Sequence, residues 1–137
     1  MTKYELVDKL MKEYANLDIE IKGLECLIKT EGIKGMFYDD MPKSPNLNTS
    51  SPVENTLNIL DKLKNDKMIL EIKKESIENM FKLLDKLEYD IMKFKYMNNM
   101  TNYQISKMLY VHENTVSKKS KIIVDKFYKY GTRYMLF

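Results

Sequence analysis

The side chains able to do chemistry in this chain are few, and their types and spacing point to binding. His112 is the single histidine and Cys26 the single cysteine. No Ser-His-Asp set, paired-histidine metal site or Cys-His couple with an orienting third group can therefore be assembled. Asp39 and Asp40 are adjacent carboxylates in a segment that reads as loop, an arrangement that usually stays solvated. The glycines stand at 23, 32, 35 and 131, which fits neither a phosphate-cradling loop nor a dinucleotide fingerprint. The expectation is a protein that is not an enzyme, with no catalytic residue, cofactor, metal or small-molecule substrate. What remains is the run from His112 to Lys126, where amide, hydroxyl and ammonium groups recur at helical spacing.

Unrolled at about 100° per residue, that run separates into two faces. Val116, Ser120, Ile123 and Phe127 share one stripe, with the small Ser120 permitting close approach. Asn114, Lys118 and Lys121 lie opposite, flanked by Thr115 and Ser117. Such a polar, long-armed, cationic face near a helix start suits the major groove of duplex DNA. An Asn amide matches adenine N6 and N7, Lys reaches guanine acceptors, and a Thr methyl packs on thymine. The chain holds 22 Lys and one Arg, Arg133, which lies in the tail. No arginine fork is available from this helix, so the expected site is read through A·T pairs. The candidate base readers are Asn114, Thr115, Ser117, Lys118 and Lys121. The candidate phosphate contacts are Thr101, Tyr103, Gln104, Lys119 and Lys126. A solvated face, or a helix-turn-helix that only binds protein, would look similar.

The elements that must hold this face are legible upstream. Thr101-Asn102-Tyr103-Gln104 has capping-box spacing, flanked by Met100 and Ile105 as a hydrophobic staple. The helix it opens is brief, with Ile105, Met108 and Leu109 as its apolar face. Tyr110 then begins a three-residue turn, and His112 occupies an N-cap position ahead of a helix starting at Glu113. Before these, Leu87, Ile91, Phe94 and Met97 mark a short helix that Asn98-Asn99 end. Together the segments read as a helix-turn-helix with a basic second helix.

Further back, Leu6, Leu10, Tyr14, Leu17, Ile21, Leu24 and Ile28 recur at steps of four and three, the seam of a long helix that Gly32 and Gly35 are expected to stop. Residues 36–52 carry Met41-Pro42 and Ser51-Pro52 and read as an irregular connection. A second long helix opens at Val53, with Ser51 as N-cap and Pro52 at the first helical position. Leu63, Leu70, Ile77 and Leu84 follow one heptad apart, while Lys67 and Lys74 interrupt the seam. Whether this helix runs on continuously or breaks near Asn79 is open in the pattern. The fold class expected is all-α: a long antiparallel helical hairpin over 1–84, a three-helix helix-turn-helix unit over 85–130, and an apolar tail, 131–137, that folds back on the core or meets a partner. The coiled-coil-like seams are compatible with an intramolecular core and with a homodimer.

Composition agrees with a compact, helix-rich chain of 137 residues, 44% hydrophobic and 31% charged. Charge is sorted along it: residues 91–137 hold 9 basic residues and 2 acids, against an overall net charge of +3. Such a block is the footprint expected where lysines displace counterions from phosphates, although it also fits an ordinary soluble surface. No stretch approaches the ~20 apolar residues of a bilayer span, and MTKYELVDKL lacks the layout of a secretory signal. A cytoplasmic protein with no membrane partner is expected, and Cys26 is expected to be a small buried or half-buried hydrophobe.

Leu87 through Phe127, above all KYMNNMTNYQISKMLYVHENTVSKK, resembles the fourth region of bacterial sigma factors. The longer span from residue 15 to 130, including Tyr38-Asp39-Asp40-Met41-Pro42-Lys43, resembles small phage-encoded transcription regulators of the ArpU and RinA kind. The resemblance implies a sequence-specific transcription regulator whose last helix enters the major groove of promoter DNA and which can contact RNA polymerase. An alternative is a helical interaction protein, dimerising or docking on polymerase, whose helix-turn-helix does not read DNA. One position departs from the pattern: Tyr110 stands where such units usually have Gly, so it must take a left-handed backbone or the turn must differ.

Overall fold

A computed structural model of the chain describes residues 1–39 and 52–137. The fold is all-α. Its helices are α1 (Lys3–Asp39), α2 (Pro52–Phe81), α3 (Lys86–Met92), α4 (Asn102–Leu109) and α5 (Glu113–Arg133), and a π-helical turn over Lys93–Met97 continues α3. No helix among the described residues is long and apolar enough to cross a membrane.

Two boundaries differ from expectation. Helix α1 does not stop at Gly32 or Gly35 but runs to Asp39, so residues 36–39 are helical rather than irregular. A glycine costs a helix roughly 0.5–1 kcal/mol, too little to end one already propagating from a long packed stretch, and no described glycine takes the left-handed backbone of a stop signal. Residues 40–51, with Asp40, Met41, Pro42, Lys43 and Ser51, lie outside the described residues. At the other end, α5 passes through Gly131 to Arg133, which shortens the tail.

Helix α2 does break: its last turn tightens, Lys82 N–H donating to the Asn79 carbonyl, Leu83 to Met80 and Leu84 to Phe81. Asp85 then opens α3 with a capping box. Its carboxylate accepts from the Glu88 amide at 2.7 Å while Glu88 Oε1 accepts from the Asp85 amide at 3.3 Å. The amide bond from Glu88, helped by Lys119 nearby, holds the Asp85 carboxyl below its ordinary range.

The chain divides into two compact units, one of 1–16 with 73–137 and one of 17–72. In the first, Val7, Leu10 and Met11 of α1, Ile77, Met80 and Phe81 of α2, Ile91 and Met92 of α3, Ile105 of α4, and Val116, Ile123, Val124 and Phe127 of α5 are buried together. Each such side chain contributes roughly 1.5–3 kcal/mol. The Phe81 ring lies 5.1 Å from Tyr14 and 6.0 Å from Phe127. The tail folds back within this unit: Leu136 N–H donates to the Gly131 carbonyl at 2.9 Å, and the Phe137 ring stacks on Tyr128 at 5.9 Å. A Cβ at Gly131 would come within 2.5 Å of that ring, so glycine makes the close approach possible.

In the second unit Leu17 and Ile21 are buried, while Leu24, Ile28, Leu60, Leu63 and Leu70 are only half-buried. Two helices enclose one narrow seam, and among the described residues nothing in this unit covers its flanks. Lys67, inside the seam, reaches out to Glu25 at 3.4 Å and Glu71 at 3.6 Å. Cys26 is exposed instead of buried, because it points away from the seam defined by Leu24 and Ile28.

Candidate nucleic-acid interface

The site is assembled by α4, its turn and α5. Thr101 and Gln104 close the capping box: the Gln104 amide donates to Thr101 Oγ1 at 3.3 Å and the Thr101 amide donates to Gln104 Oε1 at 3.0 Å. Ile105 and Ser106 form the buried side of α4, whereas Met108, expected on that side, is exposed. Ser106 is tolerated there because its hydroxyl donates to the Tyr103 carbonyl at 2.6 Å.

Tyr110 ends α4 in the left-handed region, φ 56° and ψ 38°. Of the two options its position left open, it takes the strained backbone and keeps the turn. His112 caps α5 with Nδ1 accepting from the Asn114 amide at 3.1 Å, and Glu113 begins the helix. Helices α3 and α4 both pack on α5. They cover Val116, Ser120, Ile123 and Phe127, the stripe the periodicity assigns inward, and Val124 besides. Ser120 Oγ is buried without a hydrogen-bond partner, consistent with a small residue kept for close helix approach.

Opposite this stripe, Asn114, Lys118 and Lys121 are exposed, with Thr115 and Ser117 partly exposed beside them. Among the described residues the side chains of Asn114, Lys118 and Lys121 form no ion pair or hydrogen bond; the one bond at Asn114 is made by its backbone amide, to the His112 cap. One turn beyond Lys121 the face is met by the chain itself, where Lys3 pairs with Asp125. The open surface therefore covers the first half of α5.

The expected phosphate contacts divide. Thr101 and Gln104 spend their capping atoms on each other, and Tyr103 is exposed. Lys126 is not a surface cation reaching outward. Its ammonium donates to both oxygens of Glu88 at 2.8 and 3.2 Å and to the Leu83 carbonyl at 3.2 Å, and Glu88 is buried. A buried carboxylate needs that charge beside it, so Lys126 belongs to the fold. Lys119 leans the same way, 3.5 Å from Asp85. Periodicity held a signal for both: Lys119 and Lys126 are a heptad apart and flank the buried stripe.

Two features of the neighbourhood escaped the sequence. Lys107 is exposed and lies 5.2 Å over the Tyr103 ring, and Tyr110 is 95% exposed. The four-then-three spacing of Tyr103, Lys107 and Tyr110 was the available sign. Burial lowers the Lys95 pKa and raises that of Tyr96 to about 12, so these two groups sit half-sheltered. No cluster of three metal-ligating side chains occurs among the described residues.

A family model described as a protein of unknown function, DUF722, matches residues 3–129, nearly the whole chain. No curated protein and no solved structure matches it.

Proposed function

The chain belongs to the DUF722 family of proteins of unknown function, and we propose that it is a sequence-specific duplex-DNA-binding transcription regulator that works inside the cell and is not an enzyme. Helix α5 enters the major groove by its first half, and α4 crosses the backbone above it. The observation that carries this reading is the free outward set Asn114, Lys118 and Lys121 on a helix whose opposite face is fully buried. Such long polar groups, left without partners and held on a rigid element, are what base-edge contacts require. The resemblance to sigma-factor region four and to phage-encoded regulators supports a role at promoters, with RNA polymerase as a further partner.

Asn114 reads an adenine through its amide, Lys118 and Lys121 take guanine acceptors, and Thr115 and Ser117 fill the groove beside them. The test is Asn114→Ala measured on a duplex enriched from a random pool by the unaltered protein, alongside a scrambled duplex. The expected result is a loss of about 1–3 kcal/mol on the enriched duplex with little change on the scrambled one. Equal losses on both would remove Asn114 from base reading.

A second reading, a helical interaction protein that dimerises or docks on polymerase, is favoured by one observation. In the unit of 17–72, half-buried Leu24 and Leu70 and exposed Leu27 and Ile69 line an open apolar groove between α1 and α2. This reading leaves the free polar face of α5 unexplained.

A further inference from the structure

Tyr110 places a large side chain where the turn needs only a left-handed backbone, and the fold gains nothing from that side chain. Its backbone is left-handed, which a residue with a Cβ adopts only at a cost that glycine would avoid. Its ring is 95% exposed, so no intramolecular packing offsets that cost. With Tyr103 and Lys107 it forms one strip along α4 and into the turn, on the side away from buried Ile105. The strip and the start of α5 line a common shallow concavity, to which Tyr103, Lys107 and Tyr110 contribute together with Val111, His112 and Glu113.

We infer that this Tyr103-Lys107-Tyr110 strip is a second contact surface, and that it takes the sugar-phosphate backbone of one strand of the duplex whose base edges α5 reads. The inference rests on the duplex reading above. When a recognition helix enters the groove by its first turn, the turn before it comes to the groove wall, where the backbone runs. Tyr110 stands four residues before Asn114, the first base reader. A flat ring with a hydroxyl edge suits a deoxyribose and its phosphate oxygen, and the Lys107 ammonium beside Tyr103 supplies the charge. Glu113 lines the same concavity, and its carboxylate disfavours a phosphate placed against the start of α5. Contacts of this kind fix register and carry no sequence preference.

Tyr110→Gly separates function from folding, because it relieves the left-handed backbone while deleting the ring. With a fluorescein-labelled random-sequence duplex as probe, Tyr110→Gly melts no lower than the unaltered protein yet binds roughly three- to tenfold more weakly, the worth of one net hydrogen bond. Lys107→Gln, an exposed change that leaves the fold intact, lowers the salt dependence of binding by about one phosphate contact. If both variants bind like the unaltered protein while Asn114→Ala loses its discrimination, the strip is overturned and the duplex reading stands. A Tyr110→Gly chain that melts lower would make the ring a folding element and also overturn the strip. Failure of the unaltered protein to bind any duplex removes both readings together.

Discussion

Lys126 and Lys118 are the same residue type on the same helix, and what lies beside their stems gives them opposite roles. Lys126 flanks the buried stripe, and its ammonium is the only charge that the structure sets against the buried Glu88 carboxylate among the described residues. Removing it leaves that carboxylate unpaired, an error usually costlier than the net worth of the pair. Because the Lys126 side chain is itself 37% exposed, solvent screening reduces the loss. Lys126→Met should therefore destabilise the fold by about 1–3 kcal/mol, read as a lowered urea midpoint, and an unchanged midpoint would show that Glu88 finds another partner. Lys118 stands on the free face, so its removal should leave the midpoint unmoved. The Lys126 pair with Glu88 was not legible in the sequence, because one-dimensional charge counting cannot see a carboxylate 38 residues away that folding brings to its side.

At the scale of the element, the signals that succeeded were local ones. Thr101 and Gln104 cap α4, His112 caps α5, and the three-residue turn falls where those caps require. Each depends on atoms within three residues, so spacing alone reveals it. Thr101→Ala should accordingly cost about 1 kcal/mol, seen in the same denaturant titration, without changing preference between duplexes. A shift in preference would mean that the hydroxyl has a role beyond the cap. The failures were tertiary. Gly32 and Gly35 look like stops yet ride inside a long helix. Val7 and Met11 lie off the predicted seam yet are buried, because α1 there belongs to a unit with four other helices and not to a two-helix strip. The π-helical turn, closed by the Asn98 amide on the Lys93 carbonyl at 3.3 Å, has no sequence periodicity to announce it. The Asp85–Glu88 capping box was legible by the same rule that found Thr101–Gln104 and marks the break that the heptads left open.

For the whole molecule, the sorting of charge toward residues 91–137 acquires a geometry. Lys119 and Lys126 are drawn into pairs with Asp85 and Glu88, and Lys95 is half-sheltered by burial. Lys107, Lys118 and Lys121 remain exposed around the first half of α5 and its turn. A small set of uncommitted cations on one rigid surface binds a polyanion by displacing its counterions, and the number displaced sets the salt dependence. The most direct test is the affinity of the unaltered protein for a random-sequence duplex, measured by fluorescence anisotropy across a range of salt. Binding whose logarithm falls with the logarithm of salt at a slope of roughly −2 to −4 is the predicted result. A chain that binds no duplex at low salt, or binds with an affinity indifferent to salt, would contradict the assignment of this surface to DNA.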